Sequence, residues 1–180
     1  MSNIAIEGDR SVSERAHEVT DVHSHEVHEA VTLLFATMAE TGAMGFAAPQ
    51  IHIPLRIFIF SSYPHVNHED AAQIPSTVVI NPVMHSKEDP EKTWEKCYSL
   101  PGVRGLVPRY KKINVSYTTR DGNRIENRTL EGFAAGLFQH EYDHLDGVLY
   151  KARVEPQDRE HDIIPEDEYK RQFGDDQLIR

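Results

Sequence analysis

The residues with the most chemical promise stand close together, in His140-Glu141-Tyr142-Asp143-His144. On an α-helix, side chains four positions apart share a face, so both imidazoles reach one metal ion. Glu141, beside the first histidine, is then placed to act as a general base on water near that ion. The lead-in Phe133, Ala134, Ala135, Leu137, Phe138 predicts that this helix is buried, where two histidines need polar partners. Such a short pattern also occurs on helices that hold no metal, so it needs support from elsewhere in the chain.

A catalytic tetrahedral site takes a third protein ligand and keeps one position open. Cys97, the single cysteine, is the candidate, in Trp94-Glu95-Lys96-Cys97-Tyr98-Ser99-Leu100-Pro101-Gly102. A lone cysteine is most often an inert buried thiol. Its claim rises here because the histidine pair lacks a third ligand. A further segment, Gly42-Ala43-Met44-Gly45-Phe46-Ala47-Ala48-Pro49-Gln50, has small residues that let a backbone approach a ligand. Gln50 ends it with an amide able to donate a hydrogen bond. His23, His25 and His28 imitate a metal site, but only the last two share a helical face, and they read as a solvated helix end. His65 and His68 lie in a polar stretch and are assigned no role.

Around these residues, Val27, Val31, Leu34 and Met38 form one helical stripe, with Ser24 as N-cap and Gly42 as stop. The stretch from Gly42 to Pro49 is expected to be irregular. Residues 55–60 and 77–80 read as strands, with an exposed loop over 61–76. Residues 113–119 alternate, Asp121-Gly122 signals a hairpin, and 124–130 returns. A second helix runs from about Gly132 to Leu145, ended by Gly147, with residues 148–150 as a last short strand. Antiparallel strands with two helices and no βαβ alternation give an α+β fold.

The chain has 180 residues, 19 Lys and Arg against 29 Asp and Glu, and a formal charge of −10. That length suits one domain, and the acidity argues against a nucleic-acid surface, which needs clustered Lys and Arg. No apolar run approaches the roughly 20 residues of a membrane span, and the N-terminus lacks the pattern of a signal peptide. One cysteine excludes an internal disulfide framework, as expected of a cytoplasmic protein. From Glu155 to Arg180 there are nine acids against four bases. This segment is expected to be a surface tail, with a short helix near 166–173.

Taken together, the three segments resemble the signatures of the peptide deformylase family, Gly-apolar-Gly-apolar-Ala-Ala-x-Gln, Glu-Gly-Cys-Leu-Ser and Gln-His-Glu-x-Asp-His. They stand here as Ala43 to Gln50, Glu95 to Ser99 and Gln139 to His144. Gly8-Asp9-Arg10 and Pro101 to Arg109 extend the likeness. The resemblance implies antiparallel sheets around a central helix, in a catalytic domain over 1–154 with the acidic tail at 155–180. It implies that Cys97, His140 and His144 hold one divalent metal ion, commonly Fe(II), with Zn, Ni or Co able to substitute. It gives Glu141 the proton transfers, and the Gln50 side chain and Tyr98 backbone N–H the developing oxyanion. Met44, Phe133, Leu137 and the stem of Arg104 would line the first side-chain pocket. Glu95 and Arg104 would pair beside it, and Ala43, Gly45 and Lys96 would border the peptide. The expected reaction removes formyl from N-terminal formylmethionine of nascent peptides, with the ribosome as an expected setting and no direct contact with nucleic acid or membrane. Oligomeric state is left open.

Ala43 stands where the first signature begins with glycine, a mild change if its φ is negative. The middle signature departs at two positions, Lys96 for glycine and Tyr98 for leucine. In the family the backbone at that glycine pairs with substrate as an added strand. The Lys96 stem is therefore expected to crowd the cleft or to reach a substrate carboxylate. Alternative readings are altered peptide specificity, a non-catalytic peptide-binding relative with a structural metal, and a zincin-type protease. The protease would draw its third ligand from Glu155, Glu160 or His161.

Overall fold

A computed structural model describes residues 3–64 and 71–174. His65, His68 and the last six residues of the acidic segment lie outside the described residues. Six strands form one antiparallel sheet: β1 Gly45–Ala47, β2 Ile57–Ser62, β3 Ile74–Glu95, β4 Val103–Thr118, β5 Arg124–Glu131 and β6 Ile163–Pro165. β1 to β5 lie in sequence order, and β6 joins the outer end of β4. The helices are α1 His25–Thr41, α2 Gly132–Leu145, α3 Arg159–Asp162 and α4 Glu166–Phe173. The α+β class with antiparallel strands around a helix holds.

α1 forms as its stripe requires: Ser24 caps the Val27 N–H, and Gly42 stops the helix at φ 71°. Its buried Val27, Ala30, Val31 and Leu34 pack on Ile57 and Ile59 of β2. On the opposite side of β2, Phe58 and Phe60 meet Phe138 of α2 edge-on, at 4.9 and 5.7 Å. This aromatic cluster seats α2 against the sheet.

Several elements differ from expectation. Residues 45–47 of the Gly/Ala stretch form β1, in register with Phe58 to Phe60. Residues 148–150 form no strand, and a 3-10 turn follows at Tyr150–Arg153. The strand expected at 77–80 is the start of β3, which runs on for 22 residues. Among the described residues, 83–95 pair only with β4, so Pro90 has no second neighbour there to which it would owe an N–H. Charge and proline hide this edge strand from a hydrophobic pattern.

The acidic segment carries a helix over 166–173, as its composition suggested. It also continues the sheet: Ile163 to Pro165 pair with Val103 to Gly105 of β4. Tyr169 and Phe173 then pack on Trp94 at ring distances of 5.2 and 5.5 Å.

Candidate metal centre and cleft

α2 places His140 and His144 one turn apart on the face that looks toward the end of β3. Immediately after β3, Cys97 joins them. The three donor atoms lie within 4.8 Å of one another, and all three residues are buried. Cys97 Sγ is 3.3 Å from His144 Nε2. His140 turns its other nitrogen, Nδ1, to Glu95 Oε2 at 2.8 Å, which leaves Nε2 for the cluster. Glu155, Glu160 and His161 lie outside the group, which is the only one of its kind among the described residues.

The charges around the cluster are ordered. Arg109 Nε and Nη2 donate to both oxygens of Glu95, at 2.6 and 2.9 Å, and Nη1 donates to Asp143 at 2.6 Å. Arg153 completes the chain with a 2.6 Å bond to Asp143. Burial alone would raise the Glu95 carboxyl, but Arg109 and then His140 outweigh it and bring it down to about 2. Burial likewise disfavours a charged His140, yet Cys97 and Glu95 raise its proton affinity well above the ordinary value. His144 is pushed well down by burial and by His140.

Glu141 is only 2% exposed, and its Oε2 has no hydrogen-bond partner. Burial raises its carboxyl to about 7, against the pull of His140. A Cβ on Gly45 would overlap Glu141 Oε1, so the glycine of β1 is the space into which this carboxylate fits. Gln50 Oε1 accepts from the Ala47 N–H at 2.9 Å, which aims Nε2 at Ser99 Oγ, 3.2 Å away, and Cys97 Sγ, 3.6 Å away. Tyr98 donates its hydroxyl to the Thr41 carbonyl at 2.8 Å.

A cleft of about 490 Å³ opens beside these groups. Ala43, Met44, Gly45, Gln50, Glu95, Lys96, Cys97, Tyr98, Phe133, Leu137 and His140 are among its walls. Arg104 is absent from that lining, and Glu95 pairs with Arg109 in its place. Strand parity explains the correction. Glu95 is in register with Gly105, so it shares a face with Val107 and Arg109, whereas Arg104 projects to the other face. There its guanidinium lies 4.4 Å from the Tyr169 ring centre.

Four supporting residues went unassigned in the sequence. Gln139 clips α2 to β4 by exchanging hydrogen bonds with both the N–H and the carbonyl of Tyr110. Arg56 donates to the Leu145 carbonyl at 3.0 Å and to Asp146 at 2.7 Å, closing the C-terminus of α2. Ser99 gives its N–H to Cys97 Sγ at 3.4 Å. Asp143 accepts from Arg109 Nη1, opposite the two bonds that Arg109 gives to Glu95. Gln139, Asp143 and Ser99 all stand inside the signature segments, which is the one signal that could have flagged them.

The family model for polypeptide deformylase matches residues 1–160. The chain belongs to the peptide deformylase family. Peptide deformylase 2 of Nostoc is 41% identical over 165 residues, 91% of this chain and 89% of that protein. Peptide deformylase 1 of Bordetella pertussis is 41% identical over 148 residues, covering 82% and 84%. Among solved structures, the class I type b peptide deformylase of Acinetobacter baumannii with bound Met-Ala-Ser superposes with a TM-score of 0.78. It is 31% identical, over 86% of this chain and all of that one. The deformylase of Synechococcus elongatus in complex with actinonin gives 0.74, at 30% identity over 86% and 79%. The activity of this deformylase is hydrolysis of the formyl group from N-terminal formylmethionine, with release of formate. The family is metal-dependent, and the chain brings together a buried Cys, His, His cluster able to hold a metal ion. No described helix is long and apolar enough to cross a membrane.

Proposed function

We propose that Cys97, His140 and His144 hold the deformylase's divalent ion, Fe(II) in the cell, with Zn, Ni or Co able to replace it. A thiolate with two imidazoles is a donor set that suits these metals rather than Mg or Ca. When bound, the ion supplies Lewis acidity, which polarises the formyl carbonyl and makes water a stronger acid. Glu141 is the proton carrier. Its buried Oε2, partnerless beside the cluster, is the observation that carries this reading. It takes a proton from water as the oxygen attacks the formyl carbon, then returns one to the peptide nitrogen as the C–N bond breaks. Gln50 Nε2 and the Tyr98 N–H donate to the carbonyl oxygen as charge builds on it. Met44, Phe133 and Leu137 take up the methionine side chain, and the main chain at Ala43, Gly45 and Lys96 borders the peptide. Glu95 acts through His140, whose tautomer it fixes.

Residues 1–154 form the catalytic domain and carry every group used in these steps, and the acidic segment that begins at 155 supplies none of them. The substrates are formylated nascent chains met at the ribosome in the cytoplasm. Lys96 and Tyr98 favour a peptide preference of its own for this enzyme, since both line the cleft. Metal removal and reloading test the ligand assignment. Chelated parent should regain formate release with Fe(II) under anaerobic conditions, and Cys97→Ala should retain no stoichiometric metal. A Cys97→Ala protein that keeps its metal would overturn the assignment.

A further inference from the structure

Lys92 and Trp94 share one face at the end of β3, Lys96 is the first residue after the strand, and all three line the cleft. Each has a partner in the C-terminal segment. Lys92 Nζ binds Asp162 at 2.6 Å. Trp94 packs on Tyr169 and Phe173. Lys96 Nζ binds Glu166 Oε1 at 2.7 Å, with both side chains about three-quarters buried. The segment is itself fixed to the sheet by the β6 pairing and by the Glu166 N–H to the Gly102 carbonyl at 2.9 Å. The opposite edge of β3 over Lys92 to Glu95 is bonded to β4, and among the described residues no strand pairs with the edge facing the cleft. An added peptide strand needs that edge held straight over several residues.

We propose that residues 158–173 brace the peptide-binding edge of β3, with Glu166 as a positioning residue that draws the Lys96 stem out of the path of the bound peptide. This rests on the reading of the cleft as the substrate site. Lys96, which stands where the family has glycine, is then accommodated by its tie to Glu166. A formyl-Met substrate with one further residue reaches little of the braced edge, whereas longer peptides run along it. The brace therefore acts on the binding of longer peptides more than on bond cleavage.

The test uses the full-length, Fe(II)-loaded enzyme. In Glu166→Gln, KM for formyl-Met-Ala-Ser should rise roughly two- to fivefold relative to KM for formyl-Met-Ala, as suits a partly exposed ion pair. Its kcat should stay within about twofold. Lys96→Met should behave alike, and the double variant should be no worse than Lys96→Met alone. Asp167→Asn, on the same helix but paired with Arg171, serves as control and should leave the ratio unchanged. Trp94 is the only tryptophan, so its fluorescence gives a readout independent of hydrolysis. Titration with Met-Ala-Ser should show weaker binding to Glu166→Gln by the same factor. Equal effects on both substrates, or a lowered Tm with unchanged KM ratio and unchanged Met-Ala-Ser affinity, would overturn the brace and leave the segment a mere anchor. A parent that cleaves no formyl peptide would sink the deformylase reading instead, and the Trp94 titration would still judge the brace.

Discussion

Replacing Arg109 with Met removes the centre of the buried charge chain and leaves its neighbours in place. Arg109 is 4% exposed and gives three hydrogen bonds of 2.6 to 2.9 Å, two to Glu95 and one to Asp143. Glu95 is then a buried carboxylate whose remaining partner is His140, and breaking a buried pair in this way costs about 3–5 kcal/mol. That is a large part of the roughly 5–15 kcal/mol that holds a domain folded. At about 2–4 °C per kcal/mol for a chain of this size, Tm should fall by roughly 6–20 °C. In the parent, the Glu95 carboxyl is held at about 2, below its unfolded value. Its stabilising contribution is therefore complete above the ordinary carboxylate range and is lost only as pH falls toward 2. In Arg109→Met, burial dominates and raises that carboxyl, so acidification relieves the buried charge. The Tm gap between parent and variant should narrow as pH falls from 7 to 5. Thermal unfolding followed by circular dichroism, on metal-loaded protein, measures both quantities. A drop below about 3 °C at pH 7, or a gap that widens on acidification, would refute the reasoning.

Further outcomes follow from the same geometry. Gly45→Ala places a methyl group where Glu141 Oε1 stands, so kcat should fall by about tenfold or more while metal content by elemental analysis stays near one per chain. Metal affinity should weaken as pH falls, because Cys97, His140 and His144 bind only when deprotonated; competition with a chromophoric chelator at pH 8 and pH 6 measures this. Glu95→Gln should lower metal affinity by roughly 10–100-fold, since His140 loses the carboxylate that orients it.

The catalytic helix was legible because its information is local. Four-residue spacing brings His140 and His144 together wherever the helix lies, and Ser24 and Gly42 bound α1 by backbone chemistry alone. The extent of β3 was not, since an edge strand may hold Pro90 and a run of charges without losing hydrogen bonds. Arg104 and Arg109 are alike in type and close in sequence, and only the register of β3 on β4 decides which one meets Glu95. The acidic residues of the C-terminal segment read as solvated surface because charge was counted without partners. Glu166 and Asp162 face lysines some 70 positions upstream, contacts that no local pattern encodes.

The proposed mechanism has Glu141 transferring protons beside a metal ion held by Cys97, His140 and His144. Formate release from formyl-Met-Ala-Ser by Fe(II)-loaded parent and by Glu141→Ala, each with its metal content measured, tests it most directly. The parent should release formate steadily, and Glu141→Ala should lose at least about 10²–10⁴-fold at equal metal occupancy. Equal rates from the two proteins would contradict it.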